Sequence, residues 1–193
     1  MDAQTELVTW NSVRFKTEEY RRWSFAVRPV VRHNQDLANY ANTSLDLSFA
    51  RSFKGGLKVQ YLYRYWWVDD GPYRTFWWFD VSNKHVISPH LTFKHRLRWH
   101  IAFNSARYDP NYLRYLPILD YKLSGSISLF AGSELWYELE EVNAVRRHRH
   151  ILGVSWNITD IMNLNFQYWY ERSKSIEPFF LRHTLNTTVN FRI

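Results

Sequence analysis

The sequence predicts an all-β fold, an antiparallel up-and-down transmembrane β-barrel of 10–12 strands, with 12 favoured. Two observations predict it, the length and alternation of its segments and the pattern of its connections. Segments that alternate apolar and polar residues follow one another along the whole chain, and each is about 10 to 15 residues long. Strands of globular proteins commonly have about 5 or 6 residues, whereas a tilted strand needs about 9 to 11 to cross a bilayer.

Alternation is clearest in residues 91–103, LTFKHRLRWHIAF, where Leu97 and Trp99 fall on one face and Arg96 and Arg98 on the other. Successive strand residues point to opposite faces of a sheet, so each such segment predicts a two-faced strand. The predicted strands cover residues 7–16, 22–33, 40–52, 56–68, 73–84, 90–104, 112–123, 126–139, 145–157, 161–172 and 178–193. No linker or shift in composition divides them, so residues 1–193 are predicted to form one outer-membrane barrel domain.

The connections alternate in character along the chain. Short ones fall at residues 16–21, 53–56, 87–89, 124–125 and 157–160, and longer polar ones at 33–39, 68–74, 104–111, 138–144 and 173–178. Short turns at one end and longer loops at the other are typical of outer-membrane barrels. Eleven segments are visible, but bacterial single-chain barrels normally have an even strand number, which is why 12 is favoured.

Bulky residues on the apolar face indicate which side of the sheet faces outward. About forty large apolar side chains would overfill a small barrel, and buried tyrosines would each need a hydroxyl partner. Lipid contact explains them better, because Tyr and Trp form belts at membrane interfaces. The predicted interfacial aromatics are Tyr61, Tyr63, Tyr65, Trp67, Trp77, Trp99, Trp156, Tyr168 and Tyr170. The alternative is a soluble lipocalin-like ligand-binding barrel with these faces reversed.

Charged residues of the opposite face are predicted to line the interior. They are Arg28, Arg32, Lys58, Arg64, Lys94, Arg96, Arg98, His100, Lys122, Glu134, Glu138, Arg147, Arg149 and Glu171. Two interpretations stay open: a narrow pore with anion preference, since cationic rings favour anions, or a closed structural barrel filled by internal salt bridges. A further alternative is an accessory subunit of an outer-membrane complex that binds partners through its loops.

Composition and charge bear on location and partners. The formal net charge is +7 and there is no cysteine, so neither a disulfide framework nor a thiolate metal site is expected. The start, Met-Asp-Ala-Gln-Thr-Glu, is polar, so a mature form without its signal peptide is expected, integral to a bacterial outer membrane. The expected partners are the lipid bilayer and, through the basic residues, lipopolysaccharide or anionic solutes. Strict alternation argues against a nucleic-acid partner.

Catalytic and metal sites are not predicted. Gly153-Val154-Ser155-Trp156-Asn157 lacks the second glycine of a nucleophile elbow. A lipid-modifying barrel enzyme, the remaining alternative, would carry Ser and His side by side on the lipid-facing surface. His95, His148, His150 and His183 fall on the outward phase, but no Ser lies two residues from any of them. His148 and His150 share a face without a clear third ligand, so no metal or other cofactor is expected.

A family resemblance covers nearly the whole chain. The matching residues are Thr9-Trp10-Asn11-Ser12-Val13, Trp23-Ser24, Arg32-His33-Asn34-Gln35-Asp36, Leu57-Lys58-Val59 with Tyr63-Arg64-Tyr65, and Arg149-His150-Ile151-Leu152-Gly153-Val154. In this order they resemble an uncharacterised bacterial outer-membrane β-barrel family, a domain of unknown function, with weaker likeness to small oligosaccharide-specific porins. The final segment, HTLNTTVNFRI, resembles the last strand of outer-membrane proteins. The resemblance implies a fold and a location and brings no catalytic residues.

Overall fold

Eleven consecutive strands close into a barrel in the computed structural model of the chain, which describes residues 4–34, 39–68, 73–103, 110–140, 143–173 and 180–193. The strands are β1 (Gln4–Lys16), β2 (Trp23–Asn34), β3 (Asn39–Ser52), β4 (Lys58–Val68), β5 (Arg74–Val86), β6 (Leu91–Phe103), β7 (Tyr112–Lys122), β8 (Ile127–Glu138), β9 (Val145–Asn157), β10 (Met162–Ser173) and β11 (Phe180–Arg192). A single 3-10 turn, Lys54–Gly56, is the one helical element of the described residues. None of their helices is long and apolar enough to cross a membrane.

The predicted strands are confirmed, and each observed strand agrees with its predicted segment to within about three residues at either end. The favoured count of 12 is not confirmed, because the barrel closes with eleven strands. The purely antiparallel arrangement is wrong at one seam. Consecutive strands of a meander reverse direction, so in a closed barrel with an odd number of strands the first and last run the same way. β1 and β11 are therefore parallel, with Val13 opposite Val189.

The connections lie at two ends of the barrel. Residues 17–22, 53–57, 87–90, 123–126 and 158–161 form what is here called the turn end. The opposite end, here called the loop end, is where β2, β4, β6, β8 and β10 end and where β3, β5, β7, β9 and β11 begin. The predicted difference in length between the two ends is small, since 17–22 is longer than 35–38. At the turn end Gly56 has φ +81°, and a Cβ there would lie 2.6 Å from the carbonyl oxygen of Lys84, so glycine is required.

Side chains alternate strictly between the two faces of the sheet. Among the residues whose side chains the structure describes, even-numbered residues of β1 to β8 point into the barrel, as do odd-numbered residues of β9 and β10 from Arg147 onward. The change of phase follows a bulge between β8 and β9, where the pairing shifts at Trp136 and Tyr137. The bulge also brings Arg146 to Glu138, 2.9 Å from Nε to Oε2. Residues on the inner face therefore meet across the barrel, and residues on the outer face meet only their neighbours on adjacent strands.

Candidate functional site in the barrel interior

In a soluble protein the buried face of a sheet is apolar and the exposed face is polar. In this barrel the exposed outer face is apolar and the buried inner face carries charged groups. On the outer face, Phe79, Trp99 and Leu97 are each more than two-fifths exposed. On the inner face, Glu134 is 1% exposed and Asp46 is 1% exposed. Charged groups are rarely buried in proteins unless they are paired, so the interior has to supply a partner for each carboxylate.

Glu134, on β8, is the centre of the interior charge network. Its Oε1 accepts hydrogen bonds from Arg96 and Arg114 at 2.9 Å each. Its Oε2 accepts from Arg114 at 2.9 Å, from Arg149 at 3.2 Å and from the indole N–H of Trp136 at 3.0 Å. Three guanidinium groups on β6, β7 and β9 thus converge on one carboxylate, which leaves net positive charge around it.

The network continues from Arg149 toward the loop end. Arg149 donates to Glu171 on β10, from Nε at 2.8 Å and from its terminal nitrogen. Glu171 also lies 3.5 Å from Arg182 on β11. Arg182 in turn donates to Glu6 on β1 at 2.7 Å. This chain of ion pairs crosses four strands and includes the parallel seam.

A second group of ion pairs occupies the other half of the interior. Asp46 accepts from Arg28 at 2.5 and 3.0 Å and from Arg64 at 2.6 and 2.9 Å. Asp80 accepts two parallel bonds from Arg98, both 2.6 Å. Bidentate arginine–carboxylate pairs of this kind fix the orientation of both side chains, so these guanidiniums are held in place.

Tryptophan side chains stack between the arginines and join the two groups. Trp78 has Arg64 at 4.5 Å, Arg98 at 4.1 Å and, from the group around Glu134, Arg114 at 5.7 Å from its ring centroid. Trp136 has Arg114 at 3.5 Å and Arg147 at 4.5 Å. Such cation–π contacts stabilise guanidinium groups away from water. Arginine and tryptophan together form a layer across the barrel, here called the Arg–Trp layer (Arg64, Trp78, Arg98, Arg114, Trp136 and Arg149).

A cavity of about 580 Å³ lies along this layer. Of the residues predicted to line the interior, the cavity is lined by Arg28, Arg32, Lys58, Arg64, Arg96, Arg98, His100, Glu134, Arg147 and Arg149. The other four lie elsewhere. Lys94 pairs with Asp120 at 2.8 Å beyond the cavity, and Lys122 is exposed at the end of β7. Glu138 and Glu171 are buried by their arginine partners.

The predicted interfacial aromatics all lie on the outer face, where they are exposed or half-exposed: Tyr61, Tyr63, Tyr65, Trp67, Trp77, Trp99, Trp156, Tyr168 and Tyr170. Many contact one another across neighbouring strands. Tyr61 and Phe79 have ring centroids 5.1 Å apart, and Phe79 and Trp99 6.1 Å. Such cross-strand aromatic pairs contribute to sheet stability.

Several interior residues were missed by the sequence analysis. Arg14, Arg114 and Arg182 line the cavity. Each stands in the sequence between two outward-facing residues, so the alternation alone predicts that it points inward. The interior tryptophans were missed for a different reason. In the run Phe76-Trp77-Trp78-Phe79 both phases are apolar, and only the following Asp80 shows that Trp78 points inward. Among the described residues, no group of three or more His, Asp or Glu side chains could hold a metal ion.

Comparison with protein families finds one match, to a family described as Protein of unknown function (DUF2490), over residues 7–179. The match covers β1 to β10 and ends before β11. No curated protein and no solved structure matches the chain, so the likeness to oligosaccharide-specific porins is not shown.

Proposed function

Since the chain belongs to the DUF2490 family, whose description gives no activity, we propose from its geometry that it is an outer-membrane β-barrel with a narrow, anion-preferring interior passage. The observation that carries the proposal is the inversion of its two faces. Aromatic and aliphatic side chains cover the outside, and paired ions fill the inside.

The outer face supports insertion into a bilayer. Large apolar side chains on all eleven strands are exposed there, among them Leu129 and Trp156. Contiguous apolar surface of this extent marks contact with lipid or protein. Backbone groups within lipid need hydrogen-bond partners, and only a closed sheet provides them for strands. Closure between β1 and β11 meets that requirement.

The charges around the cavity support a preference for anions. Twelve cationic side chains line it, Arg14, Arg28, Arg32, Lys58, Arg64, Arg74, Arg96, Arg98, Arg114, Arg147, Arg149 and Arg182, against three carboxylates, Asp46, Asp80 and Glu134. Within the described residues, buried donor groups of Arg96, Arg114 and Trp78 have no hydrogen-bond partner. Donors of this kind are what an anionic solute would bind.

Two residues offer a sharp test of the anion preference. Arg14 and Lys58 line the cavity, and neither forms an ion pair within the described part of the chain. Arg14→Glu combined with Lys58→Glu should therefore shift the reversal potential of the barrel in a planar bilayer toward cation selectivity. Arg21→Glu combined with Lys54→Glu is the matched control, because these exposed residues lie in turns outside the strands and do not line the cavity.

The experiment begins with gel mobility of detergent-refolded protein, with and without boiling. A folded membrane barrel should migrate differently before and after heating. Absence of a shift, with solubility in plain buffer, would contradict the membrane proposal. A heat-modifiable barrel that conducts no current would contradict the passage and leave the closed structural barrel. An unchanged reversal potential in the Arg14→Glu, Lys58→Glu variant would show that these side chains do not face the conducting path.

A further inference from the structure

A serine and a histidine form a hydrogen-bonded pair on the outer face of the barrel. Ser133 Oγ on β8 lies 2.7 Å from Nε2 of His148 on β9. Both side chains are half-buried. Their strands are adjacent, and Ser133 lies opposite His150 in the pairing, one position along the face from His148. The pair therefore arises across strands, which a search for neighbours along one strand does not detect.

Other polar groups extend this pair around the barrel. The ring of His150 packs against that of His148, with centroids 4.2 Å apart. Tyr170 lies opposite His150 and stacks on it at 6.3 Å. Arg172, exposed on β10, is opposite His148 in the register. This part of the outer face thus carries a localised group of hydroxyl, imidazole and guanidinium side chains.

An apolar groove begins directly beside the pair. It has a volume of about 760 Å³ and lies on the surface formed by β7 to β11. Ala131 and Leu152, both part of its wall, are two residues from Ser133 and His150 on the turn-end side. Phe166, Tyr168 and Leu185 continue the wall on β10 and β11. The small side chain of Ala131 leaves a depression between its larger outer-face neighbours, Leu129 and Leu152.

From this juxtaposition we propose that Ser133 and His148 are the nucleophile and general base of a lipid ester hydrolase, with an acyl chain of the substrate in the groove. The inference rests on the membrane location proposed above, because the outer face meets lipid only there. The groove is apolar and its wall at Ala131 lies two residues from Ser133 on the same face, so it suits the acyl chain of the ester that Ser133 would attack. Arg172 brings positive charge to the same surface, where lipid headgroups carry phosphate.

The chemistry follows from the geometry of the pair. Ser133 donates its hydroxyl proton to Nε2 of His148 as Oγ attacks the ester carbonyl carbon. The carbon–oxygen bond to the alcohol then breaks, and His148 returns the proton to the departing oxygen. In the second half, water attacks the acyl-serine and gives a proton to His148. The bond to Oγ breaks, Ser133 regains its proton from His148, and the free fatty acid leaves.

Two probes test the proposal on the full chain in dodecyl maltoside micelles. One is a long-chain alkyl fluorophosphonate, which labels activated serines, and the other is a phosphatidylcholine carrying a fluorogenic acyl ester. Both should react with the unaltered chain. Ser133→Ala should abolish both reactions, and His148→Ala should slow them by about 100-fold or more, as loss of a general base does. His95→Ala is the matched control, because His95 faces outward but contacts His85 and not a serine; it should react at the original rate.

Heat-dependent gel mobility separates this inference from the membrane proposal. A heat-modifiable barrel that neither labels nor hydrolyses would overturn the hydrolase and leave the membrane location standing. Labelling that persists in Ser133→Ala would overturn the assignment of the nucleophile. Ser133-dependent hydrolysis by a chain that is soluble without detergent would support the catalytic pair and contradict the membrane location.

Discussion

At the scale of single residues, the stability of the interior depends on buried carboxylates such as Glu134. Glu134 forms ion pairs with Arg96, Arg114 and Arg149 and is almost completely removed from solvent. Desolvation of buried ions is costly, and the attraction within the group offsets that cost only while every member is present. Loss of this one carboxylate would therefore remove the counter-charge of three buried guanidinium groups at once.

Glu134→Gln should lower the free energy of unfolding by about 3 kcal/mol or more, because it leaves buried cations without their counter-charge. Asp120→Asn is the matched control. Asp120 pairs with Lys94, whose side chain is 43% exposed, so its loss should cost about 0 to 1 kcal/mol. Urea titration of the detergent-refolded barrel, followed by tryptophan fluorescence, measures both. Similar losses in the two variants would show that the network around Glu134 is not held by ion pairing.

A residue's position can be predicted from the sequence when the alternation within its own strand is enough to place it, and not when its position depends on the pairing of different strands. Arg64 and Arg98 were predicted as interior residues because alternation within one strand is enough to place them. Trp78 was not, since both phases around it are apolar. The Ser133–His148 pair could not be predicted either, because it depends on the register between β8 and β9, and that register includes a bulge at Trp136 and Tyr137.

At the scale of strands, the alternation and the length of each segment together predict where the eleven strands begin and end. A segment such as Leu91–Phe103 keeps its apolar residues on one phase for its full length, so its strand is confirmed almost residue for residue. The bulge between β8 and β9 has no comparable signal in the sequence. It turns Arg146 toward Glu138, although Arg146 and Arg147 are neighbours that a regular strand would place on opposite faces.

The middle of β11 tests which face meets lipid. Leu185 is exposed on the outer face, and its neighbour Asn186 lines the interior cavity. Leu185→Arg should impair insertion, because arginine at the bilayer midplane costs about 2–4 kcal/mol on the lipid face. Asn186→Arg, which adds the same side chain inside, should fold nearly as well as the unaltered chain. The fraction of heat-modifiable protein after refolding into lipid vesicles measures the difference. Equal yields would contradict the assignment of faces.

At the scale of the whole molecule, the odd strand number requires a parallel seam. Nothing in the alternation of β1 or β11 identifies the partner of either strand, so the sequence alone favours the even strand number that bacterial single-chain barrels normally have. The seam is nevertheless extensive. Thirteen residues of β1, Gln4 to Lys16, pair with β11 in unbroken register, and Ser12 and Thr188 share a hydrogen bond of 2.9 Å across it.

A disulfide can test this closure, since the chain has no cysteine of its own. Val13 and Val189 are paired on the outer face. Neighbouring strands lie about 4.8 Å apart, within the range of about 4.4–6.8 Å between the Cα atoms of a disulfide. Val13→Cys with Val189→Cys should therefore form a crosslink on oxidation, visible as altered gel mobility under denaturing conditions. Val13→Cys with Leu185→Cys, displaced by four residues or about 13 Å along the strand, should not. The reverse result would rule out the parallel register.

The proposed passage crosses the Arg–Trp layer, so we expect the side chains of this layer to control its conductance. Trp78 and Trp136 stack on guanidiniums of both halves of the interior, and indole rings are the bulkiest groups in that layer. Trp78→Ala combined with Trp136→Ala should raise chloride conductance by about twofold or more, because both the obstruction and the cation–π partners of the arginines are removed. Trp99→Ala combined with Trp156→Ala removes two outward-facing indoles and should leave conductance unchanged in single-channel recordings. If Trp78→Ala combined with Trp136→Ala leaves the chloride conductance unchanged, these tryptophans do not form the constriction, and the arginines limit passage.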